Sequence, residues 1–448
     1  MSATDLPAAV DPAVVERVLA ALDEAAVVDL AVALGSIDSP AGAEGEAAEF
    51  VYQWLEREGF APRRLSLLPG RVNVVGRLPG QGSGCSLLFN SHLDTSVAAD
   101  EVWSTRHAAD PIYHSAWRDG DLLYGNGLCN DKGQMAAWLA ACKALKDHAA
   151  PLAGDLVLTA VCGEIELEPI DEFAAPRYAS REAGSRYVIN RGVVADYALV
   201  AEATDFRLGW VEGGNVFFKL TVFGQEPPVY VAFVERPNPT ALFDSPNAIV
   251  VLAGLIARLE EWAAKYERRH CYEGPGGTVV PRVNVGAIRS GLPYKITKTA
   301  QNASAYLDVR ITPAQEPLDV QAELTEFLQQ CGVRFELELY TYRRGYEAQH
   351  VGPLVAATTA AHERLFGTPP GLAAPTITSL WRDLNAFAEA GIPCLMYGPG
   401  PSIGRGNFTM RVEDLVQAAR LYALIALNVT SQPRATRPRA GAAARPAS

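Results

Sequence analysis

Three apolar runs that break off into charged side chains constrain this chain most. They are CSLLFNSHLDT (85–95), DLVLTAVCGEIELE (155–168) and VADYALVAEAT (194–204). Each is apolar for about the length of one strand, the pattern of a strand buried on both faces. Between the first two, MAAWLAACKALKDHAA (135–150) is rich in Ala and Leu and closes on Lys and His, which predicts a helix. Strands alternating with helices imply an α/β sandwich, in which ligands gather beyond the carboxyl ends of the strands. His92, Glu164 and Glu202 stand at such ends.

From about residue 209 the character changes. NVFFKLTVFG (215–224) alternates like a half-buried strand. NAIVVLAGLIARLEEWAAKYERRH (247–270) and LDVQAELTEFLQQCG (318–332) read as amphipathic helices, and VPRVNVGAIRSG (280–291) and ASAYLDVRITP (303–313) as two further strands. After about residue 340 the α/β pattern returns, with TITSLWRDLNAFAEAGIPCLMYGPG (376–400) and the closing helix VEDLVQAARLYALIALNVT (412–430). The 448 residues are too many for one ordinary core. The expected organisation is a three-layer α/β domain of residues 1–208 and 337–430, interrupted at 209–336 by an α+β insert of two helices on a four-stranded antiparallel sheet. The Pro/Ala/Arg-rich segment 431–448 is expected to be a disordered tail.

A net charge of −12 argues against a nucleic-acid partner, whose phosphates need a basic face. No apolar stretch is long enough to span a membrane. The amino terminus carries acidic residues and lacks the pattern of a signal peptide. The seven cysteines form no CxxC pair. Reduced, mostly buried thiols and a cytoplasmic location are the expectation.

The motifs arrive in a recognisable order: SHLDT (91–95), LYGNGLCNDKGQMAA (123–137), VCGEIELEP (161–169), VAEATD (200–205), the insert segments SPNAI, VPRVNVGAIRSGLP and LDVRITP, and GIPCLMYGPG (391–400). Together they resemble the M20 metallopeptidase and amidohydrolase family across roughly residues 45–425. The resemblance implies that His92 is a metal ligand oriented by Asp94, that Glu164 is the general base, and that Glu202 is a further carboxylate ligand. It also shows departures. The family's bridging Asp stands first in D-x-K-G, and here that position is Asn130 of Asn130-Asp131-Lys132-Gly133. A neutral amide is a poor ligand for zinc and cannot bridge two dications. The usual Glu-Glu is Glu164-Ile165, the segment 400–415 holds no His, and VFGQEPPVYVAF (222–233) has Pro and Tyr230 where an insert His is usual. All ligands of one of two metal ions are thus replaced. Asp131 enters the site only if its loop shifts, and Glu166 or Glu168 replace the missing carboxylate only if strand alternation carries them to the face of Glu164.

The expected cofactor is therefore at most one divalent ion, zinc or manganese, held by His92, Glu202 and Asp131, or none. Catalytic candidates are Glu164, His92, Asp94 and Asn130. Substrate-binding candidates are Lys295, Arg382, Arg405 and Tyr230, while Arg382 with Asp383 also reads as a structural ion pair. The resemblance favours hydrolysis of an amide-type C–N bond in a small molecule, an N-acyl amino acid or a peptide-like compound. Two alternatives stay open: non-hydrolytic acid/base chemistry (condensation, cyclisation, isomerisation or elimination) in a biosynthetic pathway, and a catalytically silent binding protein. Similar proteins make the insert a lid and dimer contact, so a homodimer through it is the default.

Overall fold

A computed structural model of the chain describes residues 11–96, 110–165, 167–235, 241–400 and 408–434. Its main sheet has six strands in the order Arg63–Leu68, Arg71–Leu78, Leu156–Val161, Leu87–His92, Tyr197–Val200 and Cys394–Met396. The first two form an antiparallel hairpin, and the second also runs antiparallel to its neighbour Leu156–Val161. The last four strands are mutually parallel. The strands Leu87–His92 and Leu156–Val161 are buried at every position, as their unbroken apolar runs predict.

Alternation along the strands divides the core in two. Leu87, Phe89, Leu156 and Leu158 pack with helices Glu24–Gly35, Gly133–Asp147 and Val412–Thr430 on one face. Leu88, Val157, Ala198 and Val200 meet Val188, Leu384 and Phe387 on the other. Side chains of successive residues leave a strand on opposite faces, so one short apolar segment serves both layers. Trp138 is the largest side chain with almost no exposure. It stacks on Phe89 at 6.3 Å, and its indole N–H donates to Ser91 Oγ at 2.9 Å, one residue before His92. Burial of that ring therefore also fixes the end of the strand that carries the site.

The insert has its own core. Strands Val283–Ser290, Asn302–Ile311, Gly214–Phe223 and Phe335–Arg343 form an antiparallel sheet in that order. Val216, Phe218, Leu220 and Val222 face Leu255, Leu259, Trp262, Leu324 and Leu328 of helices Ala248–Arg269 and Pro317–Cys331. Asn247 caps the first helix through Oδ1. The fourth strand, Phe335–Arg343, carries the insert sheet beyond the boundary of 336 set from sequence. Its alternation of apolar and charged residues fits a half-covered edge better than a return to the main domain.

The carboxyl-terminal segment also differs from expectation. Residues 431–434 are not a free tail: Pro433 bridges Gly84, Gln432 O accepts from Cys85 N, and Arg434 pairs with Asp196 at 3.1 Å. The rest of that segment lies outside the described residues. Cys85, Cys129, Cys142, Cys162 and Cys394 are buried, Cys331 is partly covered and Cys271 is exposed. No helix among the described residues is long and apolar enough to cross a membrane.

Candidate metal and catalytic site

His92, Glu164 and Glu202 converge because three adjacent parallel strands end together. His92 is the last residue of its strand and pairs in register with Val161. Glu164 follows Val161 by three residues and Glu202 follows Val200 by two. Gly163 makes the turn before Glu164. Its φ is +73°, and a Cβ there would meet Arg71 Nη2 at 2.7 Å, so both conformation and space demand glycine. Asp94 then ties the turn to the His92 strand: Oδ1 accepts from Glu164 N at 3.2 Å and Oδ2 from Ile165 N at 2.6 Å.

The His92 ring is held from both sides. Nδ1 lies 2.9 Å from the Asp94 carbonyl oxygen and therefore donates to it. Nε2 lies 3.0 Å from Asn130 Oδ1 and 3.6 Å from Glu164 Oε2. Burial alone would lower the ring's pKa, but the carboxylates of Glu164, Asp94 and Asp131 outweigh it, and the pKa stands well above the usual histidine range. Burial, reinforced by Glu202, Asp383 and Asp94 against the opposing pull of His92, holds Glu164 well above the usual carboxylate range. Asp131 is raised in the same way, by burial and then by Glu202.

Asp131 needs no loop shift to reach the site. Its carboxylate sits beneath the strand end, with Oδ2 accepting from His92 N at 3.2 Å. Oδ1 is buried without a hydrogen-bond partner among the described residues. His92, Asp131 and Glu202 each offer a ligand atom, and the three atoms lie within 4.8 Å of one another. One imidazole whose other nitrogen is tied to a carbonyl, two carboxylates and an orphaned buried oxygen are a donor set that suits a divalent ion such as zinc. Asn130 contributes its side-chain oxygen to His92 rather than a carboxylate to this group.

Other expectations meet a different arrangement. The strand ends at Val161, so alternation does not carry Glu168 to the face of Glu164. Glu168 pairs with Arg181, and Glu166 lies outside the described residues. Arg382 does not pair with Asp383. It is buried, its Nη1 2.5 Å from Glu212 Oε1 and its Nε 3.2 Å from Glu202 Oε2, the latter an ion pair out of line for a hydrogen bond. Asp383 instead accepts from Asn90 Nδ2 at 2.7 Å. Its position inside the molecule removes Arg382 from direct reach of solvent, where a substrate would first be met. Lys295 and Tyr230 are exposed on the insert, and Lys298 Nζ covers the Tyr230 ring at 4.3 Å. Arg405 lies outside the described residues, and Arg411 is an exposed partner of Glu413. Sequence reasoning missed Glu212, which anchors Arg382; it follows Trp210 and Val211 in a strand start with no motif to mark it.

The sequence profile of Peptidase family M20/M25/M40 matches residues 88–428. The chain belongs to that family. Among curated relatives of this M20 protein, the Bacillus subtilis N-formyl-4-amino-5-aminomethyl-2-methylpyrimidine deformylase is 26% identical over 88% of this chain and 92% of its own. A succinyl-diaminopimelate desuccinylase from a Methylobacterium species is also 26% identical, covering 88% and 94%. The [LysW]-lysine hydrolase of Deinococcus radiodurans is 26% identical over 82% and 86%. In fold, the M20 chain is similar to a Staphylococcus aureus tripeptidase, with TM-score 0.66 at 15% identity over 91% of this chain and 99% of that one. It is also similar to human carnosine dipeptidase 1, with TM-score 0.64 at 15% identity over 95% and 99%. The family match makes the protein an M20 hydrolase, and the likeness to the solved structures is one of fold.

Proposed function

We propose that this M20 protein hydrolyses an amide-type C–N bond of a small N-acyl or peptide-like molecule, with Glu164 as general base. The observation that carries the reading is the position of the Glu164 carboxylate. It is buried, 3.6 Å from Nε2 of His92, a member of the His92–Asp131–Glu202 group. Burial holds its pKa above the usual carboxylate range, the direction that suits a group taking a proton from water and returning it to the leaving nitrogen. Relatives named as a deformylase, a desuccinylase and a lysine hydrolase support the amide bond and the small substrate.

His92, Asp131 and Glu202 would hold one divalent ion. When bound, such an ion lowers the pKa of water and polarises a carbonyl. The chain's own residues do the rest. Asp94 fixes the His92 ring through its backbone carbonyl and fixes the Glu164 turn through its carboxylate. Asn130 keeps an amide beside His92 Nε2, where it can turn its N–H toward a substrate oxygen. The test is metal content by plasma mass spectrometry on protein purified without chelator. About one equivalent of zinc or manganese in the wild type, lost in His92→Ala, is expected. Absence of metal from folded wild type, or two equivalents, would contradict the assignment. A panel of N-formyl, N-acetyl and N-succinyl amines and dipeptides, with the retained metal supplied, then gives the acyl preference.

We also propose that two copies associate through the insert. The backbone pairs Val231 N with Thr297 O and Thr299 N with Val229 O, both at 2.9 Å, drawing two loops to one corner. There Val231, Phe233, Tyr294 and Ile296 are all more than two-thirds exposed. Apolar side chains concentrated in this way mark association surfaces. Light scattering after gel filtration is expected to give twice the chain mass for the wild type and the single-chain mass for Phe233→Asp with Ile296→Asp. A monomeric wild type at micromolar concentration would rule the contact out.

A further inference from the structure

We propose that Arg382 takes the electrostatic place of a second metal ion: it holds Glu202 by its guanidinium and confines the site to one divalent ion. The proposal rests on the one-ion reading above. Its starting point is a charge imbalance. Asp94, Asp131, Glu164, Glu202, Glu212 and Asp383 are all buried around the strand ends. Among the described residues, Arg382 is a buried guanidinium that meets two of them, Glu202 and Glu212, and Lys132 is a buried ammonium on the side of Asp94. Buried carboxylates keep their charge only when paired or when they coordinate a metal.

Arg382 answers part of that demand with a group that cannot lose its charge. It is fastened at several points. Nη1 meets Glu212 Oε1 at 2.5 Å and donates to the Ile377 carbonyl at 3.0 Å, and Met396 Sδ lies 3.7 Å away. Nε remains for Glu202 Oε2 at 3.2 Å. With this many partners the side chain has no free rotamer by which to leave. A fixed positive charge beside Glu202 repels a second dication that would have to share that carboxylate. The sequence points the same way. Asn130 and Ile165 offer no carboxylate, and segment 400–415 offers no histidine. Glu202 is thus shared between the guanidinium and one ion. Arg382 acts through Glu202 and is a positioning residue.

The experiment is zinc binding by the whole chain, followed by competition with a chromophoric chelator and by metal content. The wild type is expected to bind one equivalent. Arg382→Met combined with Glu212→Gln removes the cation and its anchor together, so that no lone charge is left buried. Glu202 is then released toward the site, and zinc is expected to bind about tenfold tighter or more. Glu212→Gln alone turns the full guanidinium charge onto Glu202, and zinc is expected to bind several-fold more weakly. This second variant decides the matter if the double variant does not fold. Unchanged zinc affinity in either folded variant overturns the role of Arg382 while the single-equivalent wild type keeps the one-ion reading. Two equivalents, or none, in the wild type overturn both.

Discussion

With Glu164 as the proposed general base, Glu164→Gln is expected to lower kcat by about 10²–10⁴-fold and to leave substrate affinity in place. Glutamine is nearly the same shape as the carboxylate it replaces, so the Gly163 turn and the contacts of Asp94 to Glu164 N and Ile165 N survive. What is lost is the oxygen that accepts a proton 3.6 Å from His92 Nε2. The pH dependence carries the sign. A base works only when deprotonated, and burial holds this carboxyl above the ordinary range. Wild-type kcat/KM should therefore fall as pH drops through a value higher than an exposed glutamate would give, and the variant should lose that limb. Steady-state kinetics on an amide substrate, with ligand binding measured separately, reads both quantities. A variant with unchanged turnover would mean that the carboxylate only fills the turn. Retained binding with loss of a reaction other than hydrolysis would favour the acid/base alternatives raised from sequence.

Arg71→Met destabilises the main domain by about 3–5 kcal/mol, the usual cost of leaving a buried charge without its partner. Arg71 and Glu44 are both buried, and Arg71 Nη2 meets Glu44 Oε1 at 2.7 Å. The other terminal nitrogen donates to the carbonyls of Pro176, Arg177 and Ala179, at 3.2, 3.3 and 2.6 Å. One side chain thus joins the start of helix Gly45–Arg57, the strand Arg71–Leu78 and the loop that follows the Glu164 turn. Methionine matches the length of the stem but leaves the buried Glu44 carboxylate without its cation, with only Gly42 N donating to it, and takes a donor from the Arg177 and Ala179 carbonyls. The measurement is the urea midpoint followed by tryptophan fluorescence. Arg71→Met combined with Glu44→Gln should recover part of the loss, because the uncompensated charge is gone. A midpoint equal to wild type would show the pair to be dispensable. The same loop holds Ser180, whose hydroxyl bonds the Ile165 carbonyl, so a folded Arg71→Met protein should also have a looser catalytic turn and lower kcat.

The α/β core was legible because both-face burial leaves no room for polar residues. LLFNSH and LVLTAV show it as unbroken apolar runs up to the site. His92, Glu164 and Glu202 were legible for the same reason, since charge at the end of such a run is a local signal. The insert was legible through its periodicity, although its last strand was not, because Phe335–Arg343 alternates with charges as any exposed edge does. Three things were decided only by the tertiary structure. Asp131 against Asn130 is a matter of which neighbour the backbone turns beneath the His92 strand, and adjacent residues carry no sequence signal for that. Alternation does not relate Glu168 to Glu164 because the strand stops at Val161 and Gly163 turns the chain. Arg382 was expected to pair with its neighbour Asp383, yet its charge is taken by Glu202 and Glu212, far away in sequence. Ionic partners are chosen by proximity in space and by the need to neutralise buried charge. The sequence therefore determined which residues could do chemistry, and the fold determined which of them share one electrostatic site.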